Sequence, residues 1–167
     1  MRFSKGNIAA VFVFILIFCA CSRASVNSDL LKAAENGDLK AIKRCLKNGA
    51  DANAKGNEDA SALIIAAKKG YADIVSLLIA KGADTNAKDN KGASSLLWAL
   101  HEDHADIASQ LIAKGADVNE KDDEGTTALI IAVQKGNTDI VSQLIAKGAD
   151  VNAKDGENVA PILWAAD

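Results

Sequence analysis

From residue 25 onward the sequence repeats itself every 33 residues, and no other feature limits the fold as tightly. Gly-Ala-Asp stands at 49–51, 82–84, 115–117 and 148–150. Neighbouring positions keep step: Asn53, Asn86, Asn119 and Asn152; Lys55, Lys88, Lys121 and Lys154; Ile74, Ile107 and Ile140. A fixed period of this length, with no strand-like alternation of apolar and polar residues, means one supersecondary unit used several times. Inside a unit, 61–70 reads as a short helix with a Ser61 N-cap and a glycine exit at Gly70. The stretch 73–82 reads as a second helix, with Asp73 at its start and Lys81 at its end to suit the helix dipole. The Asp- and Asn-rich run that follows, 83–88, has the composition of a hairpin-like loop. Helices of two to three turns are unstable alone, so each unit has to bury its apolar face on the next. Aromatics make up only 4% of the chain, and alanine and aliphatic residues are left to fill a closely stacked helical core.

These units resemble ankyrin repeats from about Ser28 to Asp167. The Thr-Pro-Leu-His tetrapeptide of that family is present in altered form as Ser61-Ala62-Leu63-Ile64, Ser94-Ser95-Leu96-Leu97, Thr127-Ala128-Leu129-Ile130 and Ala160-Pro161-Ile162-Leu163. Its proline survives only at Pro161 and its histidine nowhere, so the cross-loop hydrogen bonds of that histidine are expected to be missing. The resemblance implies an all-α solenoid of stacked helix-turn-helix units joined by β-hairpin-like loops. The repeats are expected at about 25–55, 56–88, 89–121 and 122–154, with a partial unit at 155–167. Lys32, Lys40, Lys43 and Arg44 suit the first as a solvent-facing cap. At the other end Val159, Ile162, Leu163 and Trp164 have no second helix to cover them: the fragment is expected to fray, to meet a partner or, as the favoured expectation, to belong to a truncated piece of a longer array.

Residues 1–20 read as an address. Arg2 and Lys5 precede an uncharged apolar run from Ile8 to Phe18. As a helix, eleven residues rise roughly 16 Å, half of a hydrocarbon core of ~30 Å, which suits a signal peptide better than a span. Phe18-Cys19-Ala20-Cys21 resembles a bacterial lipobox, which implies cleavage before Cys21, acylation of that cysteine and a tether over 21–27 leading to a repeat domain at 28–167. Ordinary cleavage near Ala20 to Ala24 is the alternative and would give a soluble secreted or periplasmic protein. Ser22 lacks the aspartate that lipoprotein sorting associates with inner-membrane retention, so the expected location is the cell envelope, on an outer membrane facing the periplasm or the surface. With Cys21 acylated and Cys19 removed, Cys45 stands alone and no disulfide framework is possible.

Function follows from what is absent as well as what is present. The 19 basic and 22 acidic residues give a net charge of −3. Loss of Arg2 and Lys5 makes it −5, a surface that repels nucleic acid. His101 and His104 flank Glu102 and Asp103, but register puts them at an exposed helix end and a turn, so neither a metal nor another cofactor is expected. Cys45 shares the register of Leu78, Leu111 and Leu144 and is expected to be a buried small hydrophobe with no base nearby. Trp98 and Trp164 share that of Ile65 and Ile131 and are expected in the core. Asp103 replaces Gly70 and Gly136 where a positive φ is expected. The ladders Lys81, Lys114, Lys147 and Asp84, Asp117, Asp150 read as a solvated rim. No phosphate loop, nucleophile elbow or zinc spacing is present, and an enzyme is not expected.

Positions that change between otherwise similar repeats mark the free surface. These are Asn57, Glu58, Lys68, Lys69, Asn90, Lys91, His101, Glu102, Asp123, Glu124, Gln134 and Lys135. By register with the resembled family they form a concave face that binds an unidentified protein partner. Self-association through the uncapped C-terminal end, in a structural role, is the alternative.

Overall fold

The computed structural model describes residues 24–161. The expected signal segment, with Cys21, and the end of the chain, with Trp164, lie outside the described residues. The helices are α1 (24–35), α2 (Leu39–Lys47), α3 (Ala62–Lys69), α4 (Ala72–Ala80), α5 (Ser95–His101), α6 (Ala105–Ala113), α7 (Ala128–Gln134) and α8 (Thr138–Ala146). Among the described residues there is no strand longer than an isolated bridge. None of these helices is long and apolar enough to cross a membrane. Residues 24–27, read above as tether, are the first turn of α1.

Four of the helix starts are closed by a side-chain cap. Ser61 and Thr127 accept the backbone N–H groups of Ile64 and Ile130 at 3.3 Å, closing the first turns of α3 and α7. Asp38 does the same for Ala41 in α2, and Asn137 for Ile140 in α8. The first helices stack in one layer, α3 on α5 and α5 on α7, and the second helices in another, α2 on α4, α4 on α6 and α6 on α8. Between the layers runs one continuous core. Leu30, Leu63, Leu96 and Leu129 occupy the same register and are all buried, as are Ala33, Ala66, Ala99 and Ala132 one turn on. The alanines let successive first helices approach closely, while each buried leucine contributes about 1.5–3 kcal/mol.

Cys45 is buried at the register of Leu78, Leu111 and Leu144 and unpaired, as its position in the period predicts. Burial pushes its thiol above the usual value, with the Asp29 charge adding to the shift. Asp103 sits at φ 63°, beside φ 81° at Gly70 and 66° at Gly136, so the expected left-handed turn is present with a non-glycine residue in it. Gly70 carries a second constraint, because a Cβ there would come within 2.7 Å of the His104 ring. At the same offset of 34 residues from Asp103 the sequence has Asn137, which carries no ring.

The loops are hairpin-like, pinched by antiparallel bridges between Lys55 and Ser61, Lys88 and Ser94, and Lys121 and Thr127. Their rigidity comes from a ladder rather than from histidine. Lys55 Nζ donates to the Lys88 carbonyl at 2.8 Å, Lys88 Nζ to that of Lys121 at 2.7 Å, and Lys121 Nζ to that of Lys154 at 2.8 Å. In parallel, Asn53, Asn86 and Asn119 accept from the backbone N–H of Asp84, Asp117 and Asp150 at 2.7, 2.9 and 2.8 Å. Each unit is therefore clamped to its successor by a charge-assisted bond and a neutral one.

Candidate functional site

Stacking at a constant offset turns the first helices and the loop tips into the two walls of a groove. The tips are chained by backbone bonds: Asn90 N–H donates to the Glu58 carbonyl at 2.8 Å, Asp123 to Lys91 at 3.0 Å, and Gly156 to Glu124 at 2.8 Å. The chain holds the tips in line without using any of their side chains. Asn57 and Glu58 lie in a single 3-10 turn at the first tip. Lys68 and Lys69 end α3, His101 ends α5 and Gln134 ends α7, with Glu102 and Lys135 as the C-caps of those last two helices.

All twelve residues expected on the free surface are exposed. The structure does not gather them equally. An open groove of about 800 Å³ lies at the N-terminal end of this face, and Asn57, Glu58, Lys68 and Lys69 line it together with Leu31, Ile65 and Trp98. The other eight lie outside that lining, further along the stack or at its edge. Lys32, expected only as part of a solvated cap, and Glu35, also in α1, line the groove too.

Trp98 is the residue that register alone misplaces. Its equivalent Ile131 is buried, whereas Trp98, like its other equivalent Ile65, is half-buried, packed partly on the core and reaching the groove. The indole also carries a donor that needs a partner. That partner is Asp89, whose Oδ2 accepts from Trp98 Nε1 at 2.7 Å while its Oδ1 accepts from the Lys91 and Ala93 backbone N–H groups at 2.9 and 3.0 Å. The ring is thus fixed from below. Lys68 Nζ stands 3.7 Å from its centroid and Lys91 Nζ 5.8 Å, both within cation–π range. His101 lies against the same ring, tilted, at 6.1 Å between centroids. The signal that could have revealed this cluster is Asp89, nine residues before the tryptophan.

Glu120 is a second departure that the period conceals. It stands where Ala54, Ala87 and Ala153 stand in the other units. Its Oε2 atom is buried without a hydrogen-bond partner. Burial raises its carboxyl above the usual carboxylate range, the Ser94 hydroxyl and the Lys88 ammonium oppose that shift, and Asp117 and Asp84 reinforce it.

Chemically, the groove offers an anchored aromatic face, aliphatic floor and ammonium groups, which is an arrangement for holding a chain rather than transforming one. Among the described residues, no group of three or more His, Cys, Asp or Glu side chains is placed to hold a metal ion. The family model described as Ankyrin repeats matches the chain three times, over residues 30–122, 91–155 and 109–167. No curated protein matches the chain.

Proposed function

Since the chain belongs to the ankyrin-repeat family, whose repeats generally serve as protein-protein interaction modules, we propose that it binds a protein partner through its concave face and catalyses nothing. The observation that carries this reading is the groove between the first helices and the chained loop tips, where Trp98 is fixed by Asp89 and partly open above. A rigid surface of this kind binds without an ordering cost of its own, so affinity depends on side chains and not on loop rearrangement. Charge reversal at Lys68 and Lys69, or at Lys135, is expected to weaken binding of a partner captured from envelope extracts and to change its salt dependence, leaving the unfolding midpoint unmoved. Reversal along the rim of Lys81, Lys114 and Lys147 should do much less. If the rim changes abolish binding and the first-helix changes do not, the face is wrongly assigned.

The setting we propose is a membrane surface in the cell envelope, reached through a lipid on Cys21. From Cys21 to the first helical residue, 24, the chain spans three residues, about 10 Å when extended. The groove, lined in part by α1, would then lie near the bilayer. Intact mass of the mature chain should show acyl groups on Cys21, and Cys21→Ser should release it from the detergent phase. A plain N-terminus between Ser22 and Ser25 refutes the anchor.

A second reading, self-association through the C-terminal end, is favoured by Ile145 and Val151. They are 49% and 48% exposed, where their equivalents Ile112 and Val118 are 2% and 6%. A mass that rises with protein concentration and returns to the monomer in Ile145→Glu would support it.

A further inference from the structure

We propose that the Trp98 groove is selective for an extended acidic peptide segment, one that lays an aliphatic side chain on the indole and sets carboxylates against Lys68 and Lys91. This rests on the concave-face reading and adds the chemistry of the partner. Internal bonding leaves some of the charge around the ring unspent. Asp89, the carboxylate nearest the ring, is consumed by three donors: two backbone N–H groups and Trp98 Nε1. It holds the indole and has little left to offer a ligand cation. Lys55, also in the lining, is likewise committed, since its ammonium donates to the Lys88 carbonyl.

The ammonium groups over the ring are different. Lys68 ends α3 and lines the groove, Lys91 stands at the second loop tip just outside that lining, and their charges stand 3.7 and 5.8 Å from one aromatic centroid. Both residues are exposed, and Lys69 beside Lys68 is exposed too. Glu35 and Glu58, the remaining acids of the lining, belong to α1 and the first loop tip, not to the elements that carry Trp98, Lys68 and Lys91. A ligand anion bridging the walls meets cations on both sides, and the aliphatic stems of the lysines stay on the ring as their heads turn to it. A basic ligand would have to displace Lys68 from the same face. The chain's overall acidity, −3 by formal charge, makes this local excess of cations a selective feature and not a general one.

The test uses the full chain carrying Trp164→Phe, which leaves Trp98 as the remaining one of the two tryptophans and hence as the fluorescent reporter. Three synthetic peptides of equal length alternate leucine with glutamate, lysine or serine. The expected result is saturable perturbation of Trp98 emission by the glutamate peptide, weakened roughly tenfold by the pair Lys68→Met and Lys91→Met and weakened by added salt. Methionine keeps the stem on the ring, and an unchanged unfolding midpoint excludes a folding defect. Should the midpoint fall, Lys68→Gln and Lys91→Gln replace them. If the serine or lysine peptide binds as tightly as the glutamate one, the acidic class is wrong while the concave face stands. Binding of the glutamate peptide that ignores loss of both lysines, or no saturable signal from any peptide, overturns the proposal. Failure of the concave face itself is read separately, from captured partner and the Lys135 and rim reversals.

Discussion

Replacing Glu120 by alanine should stabilise the protein at neutral pH. The carboxylate stands at a position that three other units fill with alanine, so the backbone demonstrably accepts the smaller residue. Leaving a buried polar group unpaired costs about 1–3 kcal/mol. One of the two carboxylate oxygens is in that state, while the residue as a whole keeps some contact with solvent. The low end applies, and losing the methylene contacts trims it further, giving a gain of about 1 kcal/mol at pH 7. The sign with pH follows from the raised carboxyl. An acid that holds its proton more tightly when folded contributes stability below its unfolded value and loses it as pH rises through the folded one. The wild type is therefore penalised at pH 7, and the penalty fades as pH falls toward the usual value of 4.5. Urea melts of wild type and Glu120→Ala at pH 7 and at progressively lower pH measure both quantities. A variant that is less stable at pH 7, or whose advantage is the same at every pH, would refute the reasoning.

Three further outcomes are expected. Leu111→Ala, in the fully buried register of the second helices, should cost about 2–4 kcal/mol, and Lys114→Ala three residues on less than about 0.5, in the same melts. Gly70→Ala should cost more than the ~1 kcal/mol of its left-handed backbone alone, because of the His104 ring, and His104→Asn should recover the excess in a double-mutant cycle. Cys45, buried with its thiol pushed up by desolvation and the Asp29 charge, should react with an alkylating reagent only as the protein unfolds. Modification of Cys45 at the rate of a free thiol would place it wrongly.

What the sequence made legible is whatever repeats. Cys45 is buried because its equivalents are leucines, Asp103 is left-handed because its equivalents are glycines, and Ser61 and Thr127 cap helices because both open the same apolar run. A period says where a residue lies within a unit. It does not say which copies of one register stay open, and so Trp98, expected in the core, lines the groove with Ile65 while Ile131 is buried. Nor does it show bonds between units, because Lys55 and Lys88 look like any solvated lysines until the loop carbonyl of the next unit is placed within 2.8 Å. The twelve variable positions were correctly read as exposed, but exposure is a weaker property than convergence, and only four of them line the groove. Glu120 was open to detection, as the one acid in a column of alanines, and shows that departures from a repeat carry as much information as the repeat.

The clamps between units join positions 31 or 33 residues apart, always asparagine to backbone amide and lysine to backbone carbonyl. Excising one internal block of 33 residues would consequently bring a Lys55-like donor to a Lys121-like acceptor and leave no clamp without its mate. Inserting a copy would do the reverse at equal ease. Genetic recombination between such blocks can therefore lengthen or shorten the array in whole steps, with each new seam chemically identical to the old. The cluster of Asp89, Trp98, Lys68 and Lys91 breaks that interchangeability, since it spans one seam and occurs once. Losing or shuffling that block would change what the groove recognises without disturbing how the stack is held.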